Sequence, residues 1–296
     1  MRKKVLIIVG GGVYGCIPAH LLASLPTELQ TLDRVDALSG CSIGGILAGA
    51  YGLGYDFKFV DNFFQNNADT CFTKRLCAYI NPLACPTYAD IDISTVLEVL
   101  FKNHTMKDTR EVYPDLDLFI PTLNLTKDKY KVFDNIDDLD ADLKVVTRAT
   151  SAAPSYFGGV NIDGDCYIDG GVIEVAPLLT AATALRGRRN IRFEDMDVLM
   201  IGTGKDVSEK PITPEKYEDM GLLGLATSVI VPYVTLANEM ATVYWGNNMG
   251  FNSFTYFNPC THNGYLDDVD QIPDMIKQTD KFVSEFTEVY TEWLTK

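Results

Sequence analysis

The residues that most constrain the fold are 5–16, VLIIVGGGVYGC, where an apolar run leads straight into a cluster of glycines. The pattern predicts a buried strand at 4–9, a tight turn, and a helix at about 15–27. Backbone N–H groups at such a turn and helix start bind negative charge. The turn therefore predicts a site for an anion, either the pyrophosphate of a dinucleotide or an oxyanion that develops during catalysis.

The rest of the chain alternates between the two kinds of element. This alternation predicts an α/β fold with a mostly parallel central sheet flanked by helices on both faces. Its 296 residues suit a single domain, 1–296, with a cap or lid insertion at about 55–115 and a helical C-terminal segment at about 270–296. Further strands are predicted at 34–38, 117–126, 130–133, 143–147, 197–205 and 252–259, and further helices after residue 43 and at 177–185, about 219–248 and 274–295.

The net charge and the cysteines limit which partners and which cellular compartment we expect for this chain. The net charge of −15 repels phosphate backbones, which predicts no nucleic-acid partner, and the one dense basic stretch is 185–192, LRGRRNIR. The apolar segment at the N-terminus is too short for a secretory signal. Seven cysteines without a C-x-x-C spacing predict a cytoplasmic protein, although Cys71, Cys77 and Cys85 lie close enough for a disulfide-stapled loop.

A second glycine turn carries a candidate nucleophile. GCSIG at 40–44 matches Gly-x-Ser-x-Gly, follows an apolar strand and opens a helix, which is the setting of a nucleophile elbow with Ser42 at its tip. A serine hydroxyl needs a base. The chain has three histidines, His20, His104 and His262, and a conventional Ser-Asp-His triad through His262 remains an alternative. At most two strands precede the elbow, however, which is few for that fold.

Five segments together resemble the patatin-like phospholipase family. They are GGGVYG at 10–15, GCSIG at 40–44, ATSAAPSYF at 149–157, IDGG at 168–171 and MIGTGK at 200–205. The resemblance implies a three-layer α/β/α fold and a Ser-Asp dyad, Ser42 and Asp169, that hydrolyses acyl esters of phospholipids or lysophospholipids through an acyl-serine intermediate. It also implies that no metal and no cofactor takes part.

The same resemblance assigns roles to the glycines. Gly11 and Gly12 are expected to donate the N–H groups of the oxyanion hole, and the remaining motif glycines are Gly10, Gly15, Gly40, Gly44, Gly170 and Gly171. The chain departs from the family pattern at two positions. Val9 stands where the family turn usually has Asp, and Tyr14 where it usually has Arg, so one cation near the oxyanion is missing.

Two further expectations concern ligands. A dinucleotide-binding oxidoreductase, using NAD(P) or FAD, would need an acidic residue after the second strand, and Asp36 lies near the required distance from Gly10-x-Gly12-x-x-Gly15. For a lipid hydrolase, the expected partners are the lipid substrate and a transient, peripheral contact with a membrane surface. The insertion contains five phenylalanines, Phe57, Phe59, Phe63, Phe64 and Phe72. Their apolar area suits a fatty chain, a membrane face or ordinary core packing.

Overall fold

A mixed β-sheet forms the centre of the computed structural model, which describes residues 2–75, 86–206, 231–261 and 266–296, with the backbone alone for 206 and 231–237. The strands lie in the order β5-β6-β3-β2-β1-β7-β9, and β4 pairs with β3 outside this path. A separate pair joins β8 to β10. The strands are β1 (Lys3–Ile8), β2 (Ala37–Gly40), β3 (Asp117–Asn124), β4 (Lys129–Asp134), β5 (Val160–Ile162), β6 (Asp165–Asp169), β7 (Met196–Ile201), β8 (Lys205–Asp206), β9 (Ser253–Phe257) and β10 (Cys260–Thr261).

The five strands from β3 to β9 along this path are parallel, whereas β4, β5 and β6 are antiparallel to their neighbours. Carboxyl ends of parallel strands meet at one edge of a sheet, so the turns that follow β1, β2 and β7 are neighbours. Strand β3 joins the two parts of the sheet: it pairs Phe119 with Ser39 of the parallel strand β2, and, farther along, Thr122 with Asp169 of the antiparallel strand β6. Asp169 therefore lies level with the residues that follow β2.

Helices cover both faces of the sheet, which confirms the predicted three-layer α/β/α fold. Along β1, Leu6 and Ile8 belong to the larger apolar core, and Val5, Ile7 and Val9 belong to the smaller one on the opposite face. This alternation follows from the two-residue period of a strand. The helices are α1 (Cys16–Ala23), α2 (Ile43–Gly52), α3 (Phe57–Cys71), α4 (Asp90–Phe101), α5 (Met106–Val112), α6 (Leu143–Thr150), α7 (Gly171–Glu174), α8 (Leu178–Arg189), α9 (Val231–Asn248), α10 (Ile272–Thr279) and α11 (Val283–Thr295).

The prediction of a strand at 143–147 is wrong, because these residues form the first part of α6. Asp142 caps this helix by accepting hydrogen bonds from the amides of Lys144 and Val145. The buried residues Leu143, Val146 and Thr147 recur at helical spacing. Two of the three β-branched residues that suggested a strand, Val146 and Thr147, thus lie on the inner face of a capped helix.

The region 55–115 is more regular than its composition suggested, since it contains α3, α4 and α5. Asp56 caps α3 through the amide of Phe59, 3.0 Å away, and a capping box opens α5. Conversely, the β5–β6 hairpin was not predicted. The predicted helix at 219–248 is observed from Val231 onward, and 219–230 lies outside the described residues.

Two observations concern the possible disulfide-stapled loop and the question of membrane-spanning helices. Cys71 is a free thiol, and the other two cysteines of the proposed stapled loop, Cys77 and Cys85, lie outside the described residues. Among the helices that the structure describes, none combines the length and the apolar character that a membrane crossing requires.

Candidate active site

Ser42 occupies a strained turn between β2 and α2. Its φ of 55° is in the left-handed region, which non-glycine residues rarely adopt. The turn is tight because a Cβ on Gly40 would lie 2.0 Å from the carbonyl oxygen of Gly44, and a Cβ on Gly44 would lie 2.3 Å from that of Ile8. Both glycines of the motif are therefore required by close backbone approach. The result is a tight strand-turn-helix connection with Ser42 at its tip, where it lines a cavity.

The elbow is held by a threonine from a different element. The amide of Ser42 donates to Oγ1 of Thr150 over 3.1 Å, and that hydroxyl donates to the carbonyl oxygen of Pro121 over 2.7 Å. Thr150 thus fixes the position of Ser42 relative to β3, the strand beside which β6 delivers Asp169.

The first glycine turn lies directly beside the elbow. A Cβ on Gly10 would come within 2.9 Å of the carbonyl oxygen of Cys41, and a Cβ on Gly15 within 2.2 Å of the Ile43 side chain. Gly12 has a φ of +56°, and the carbonyl oxygen of Leu266 approaches it so closely that a Cβ would lie 2.2 Å away. These contacts explain why the turn between β1 and α1 consists of glycines.

Gly11 and Gly12 line the same cavity as Ser42. Their amides donate no hydrogen bond to another residue that the structure describes, whereas Gly10 donates to the carbonyl of Val175 over 2.9 Å. Backbone N–H groups of this kind, in the cavity that a serine hydroxyl lines, are the type of donor that stabilises an oxyanion.

Asp169, the last residue of β6, is 4% exposed and lines this cavity. Loss of solvation raises its pKa to about 6, and hydrogen bonds from the side chain of Ser42, the amide of Gly171 and the thiol of Cys41 oppose that rise. The Gly171 amide lies 2.7 Å and the Cys41 Sγ 3.5 Å from Oδ1. Gly170 permits the turn that follows, since a Cβ there would lie 2.5 Å from the Pro121 carbonyl oxygen. A carboxylate with this pKa is a competent base near neutral pH.

The cavity has a volume of about 400 Å³, which is in the range of small-molecule sites. Apart from the polar groups at its base, most of its wall is apolar. The insertion contributes Phe64 and Phe72 to this wall, while Phe57 is buried in the core, Phe63 packs against it, and Phe59 is exposed. A fatty chain therefore fits the chemistry of the wall.

The structure does not support the dinucleotide alternative. Asp36 precedes β2, at the opposite edge of the sheet from the glycine turn, and its carboxylate accepts hydrogen bonds from Nζ of Lys3 (2.7 Å) and the amide of Lys4 (2.8 Å). It cannot reach a ribose held at the glycine turn. Tyr14, at the position of the family's Arg, packs against the larger apolar core.

The histidines described here do not face Ser42. His20 contacts Asp61 and Asp280, His104 contacts Asp108, and neither histidine lines the cavity. His262, on which the triad alternative depends, lies outside the described residues.

Two contributing residues were not identified from the sequence. Cys41 is the first variable position of Gly-x-Ser-x-Gly, and Thr150 belongs to the segment ATSAAPSYF. Both residues therefore lie within motifs that carry the family resemblance. Nothing in those motifs indicates that Cys41 contacts Asp169 or that Thr150 holds the Ser42 amide. These contacts depend on residues that are distant in the chain.

Comparison with known proteins identifies the family. The family model described as patatin-like phospholipase matches residues 6–182. The chain belongs to this family. The patatin-like chain is 27% identical over 297 residues to a cGAMP-activated phospholipase of Escherichia coli (strain TW11681), covering 90% of this chain and 80% of that relative. A cGAMP-activated phospholipase of Vibrio cholerae is 24% identical over 272 residues, covering 81% of this chain and 75% of the relative.

The fold also matches a solved structure. VipD from Legionella pneumophila superposes with a TM-score of 0.50 at 11% identity, covering 98% of this chain and 67% of VipD. The predicted family and fold class are thereby confirmed, and the phospholipase relatives support lipid hydrolase activity for this patatin-like chain.

Proposed function

We propose that the protein is a lipid acyl hydrolase that cleaves acyl esters of phospholipids or lysophospholipids with a Ser42–Asp169 dyad. The observation that carries the proposal is the meeting of both side chains in one apolar cavity, with Asp169 desolvated beside the hydroxyl of Ser42. The amides of Gly11 and Gly12 donate to no residue in the described part of the chain, and both glycines line this cavity, which supports their assignment as oxyanion donors.

The geometry supports a two-step reaction. The carboxylate of Asp169 accepts the proton of the Ser42 hydroxyl while Oγ attacks the ester carbon, and the amides of Gly11 and Gly12 stabilise the negative oxygen. Collapse of this tetrahedral species breaks the ester bond, and the proton on Asp169 passes to the departing alcohol. Water then attacks the acyl-Ser42 ester by the same route and releases the fatty acid.

We further propose that the chain is one catalytic domain in which the insertion at about 55–115 acts as the lid of the cavity. Phe64 on α3 and Ile93 on α4 line the cavity wall, so these two helices form part of the enclosure of the substrate. The helices α10 and α11 form the predicted C-terminal segment.

Labelling with a fluorophosphonate probe tests the nucleophile. We expect the unchanged protein to be labelled and Ser42→Ala to remain unlabelled. Ser151→Ala is a matched control, since Ser151 lines the same cavity but donates to the carbonyl of Arg148. Labelling of the Ser42→Ala variant would contradict the proposal, as would loss of labelling in Ser151→Ala alone.

The names of the bacterial relatives suggest a condition for the assay. Because two relatives that align over most of this chain are named as cGAMP-activated, we propose that hydrolysis by this protein also responds to a cyclic dinucleotide. Fatty acid release from mixed lipids should rise when cGAMP is added. An identical rate with and without cGAMP would contradict this part of the proposal.

A further inference from the structure

An uncharged apolar surface lies on two helices that contact each other, α7 and α9. Its five side chains are between 38% and 63% exposed. Residues of this size are normally covered in a folded protein, and a cluster of them at the surface indicates a contact with another apolar phase or partner. The α7–α9 surface consists of Val172, Ile173, Met240, Tyr244 and Trp245.

The α7–α9 surface begins at the candidate active site. Helix α7 follows Asp169 after a single residue, and Val172 on this helix both lines the cavity of Ser42 and is exposed. The next residue, Ile173, lines a neighbouring groove together with Trp245 of α9. The charged residues of that groove are the ion pair of Arg188 with Asp134 and the buried Glu174. The ring of Tyr244 contacts that of Trp245, with centroids 5.8 Å apart. The exposed apolar side chains thus lead from the edge of the cavity outward.

The carboxylate that each of these helices carries is held in hydrogen bonds to neighbouring side chains. Glu239, the one charged residue in the sequence of α9, accepts hydrogen bonds from Tyr256 and Asn258, and burial raises its pKa to about 7. Glu174, the charged residue of α7, is buried and accepts from Oγ1 of Thr180 over 2.6 Å. In a chain of net charge −15, this surface is therefore suited to a neutral apolar phase rather than to an anionic one.

Three of the four arginines in the basic stretch 185–192 are already ion-paired and are poorly suited to bind a lipid headgroup. Arg188 pairs with Asp134, Arg189 pairs with Asp117, and Arg192 pairs with Asp195. The fourth arginine, Arg186, lies over the ring of Phe193, with its guanidinium carbon 5.1 Å from the ring centroid. Most of the positive charge of the stretch is therefore matched by neighbouring carboxylates.

We propose that the α7–α9 surface docks onto a zwitterionic lipid bilayer and brings the cavity mouth beside Val172 against the lipid. Tyr and Trp side chains favour the boundary between an apolar phase and water, which suits Tyr244 and Trp245 to this contact. The inference rests on the proposed lipid hydrolase activity and adds where the membrane is met. It replaces the expectation that the phenylalanines of the insertion supply that contact.

The chain provides its own spectroscopic probe. It contains two tryptophans, and Trp293 is only 3% exposed, so changes in fluorescence on vesicle binding report on Trp245. With phosphatidylcholine vesicles we expect a blue shift of the emission and protection from acrylamide, both insensitive to salt. Trp245→Phe should show no such shift. An unshifted spectrum, or binding that requires anionic lipid and low salt, would overturn the proposal.

A paired variant tests the effect on catalysis. We expect Met240→Gln combined with Tyr244→Gln to weaken vesicle binding at least about tenfold, because two exposed apolar contacts with the lipid are lost. Hydrolysis of vesicle lipid should fall by a similar factor, while hydrolysis of a soluble short-chain ester is unchanged. The matched control is Ile91→Gln with Val99→Gln, which removes equally exposed apolar side chains from the acidic helix α4.

The outcomes distinguish the inference from the proposed function. If neither the unchanged protein nor any variant cleaves the soluble ester, the proposed hydrolase activity fails. If the ester is cleaved but the two paired variants bind and hydrolyse vesicles equally, the α7–α9 surface is not the membrane contact. If the Met240/Tyr244 variant changes only the oligomeric state in sedimentation, the surface binds a second copy of the chain and the proposal is wrong.

Discussion

Replacing Asp169 by asparagine should stabilise the protein at neutral pH while it abolishes hydrolysis. Burial raises the pKa of this carboxyl from 3.8 to about 6, so between these pH values the folded state holds a proton that the unfolded state releases. The stability of the unchanged protein therefore falls as the pH rises through this window. At about 1.36 kcal/mol per pKa unit, the loss is about 3 kcal/mol once both states are ionised.

The amide side chain of the Asp169→Asn variant is neutral at every pH, and its Oδ1 can still accept the hydrogen bond that the Gly171 amide donates over 2.7 Å. Urea unfolding of both proteins at about pH 3, below both pKa values, and at about pH 8 measures the difference. We expect similar free energies of unfolding at the lower pH and an advantage of about 3 kcal/mol for Asp169→Asn at the higher pH.

The difference at the lower pH serves as the internal control, because it records the replacement of a neutral acid by an amide and no titration. A stability difference that is the same at both pH values would refute the argument that desolvation of Asp169 sets its pKa. Full hydrolytic activity in Asp169→Asn would refute its assignment as the base.

Three other predictions follow from the site. The rate of hydrolysis of a soluble ester should rise about tenfold between pH 5 and pH 7 as Asp169 ionises. The Cys41→Ala variant lacks a hydrogen-bond donor to that carboxylate, so its rate should rise at a higher pH, while Cys41→Ser should keep the original profile. Ser42→Gly should unfold at a higher temperature than Ser42→Ala, by about 1 kcal/mol in stability, because glycine relieves the φ of 55°; an equal or lower transition temperature would contradict this strain. Gly40→Ala should fail to give folded protein in circular dichroism, because the new Cβ would lie 2.0 Å from a carbonyl oxygen. The control Gly187→Ala places its Cβ in open space inside a helix, so its free energy of unfolding should rise by about 0.5–1 kcal/mol.

The parts of the site that lie in one continuous segment could be predicted from the sequence. Gly-x-Ser-x-Gly after an apolar strand is a local pattern, and steric limits at Gly40 and Gly44 tie that pattern to one backbone geometry. The glycine turn after β1 is local in the same sense. The residues of this turn do not by themselves distinguish a dinucleotide pyrophosphate from an oxyanion. Asp36 was excluded as the ribose contact only because it lies before β2, at the opposite end of that strand from the glycine turn.

Contacts between distant segments were beyond the reach of these patterns. The amide of Val13 donates to the carbonyl of Leu266, and Thr150 accepts from Ser42, but no periodicity or motif indicates either pair. The strand predicted at 143–147 failed for a related reason: β-branched residues favour strands on average, while the cap at Asp142 and burial of one helical face decided the outcome here.

The separation of the dyad along the chain has a consequence for the order of events during synthesis. Cys41 and Asp169, which touch in the folded protein, are 128 residues apart, and the antiparallel strand β6 must dock on β3 before the carboxylate reaches the elbow. Such non-local pairings form late, because chain closure must precede any favourable contact. On the proposed mechanism, a nascent chain that ends before β6 holds the nucleophile without its base, so we expect it to be inactive until β6 has docked.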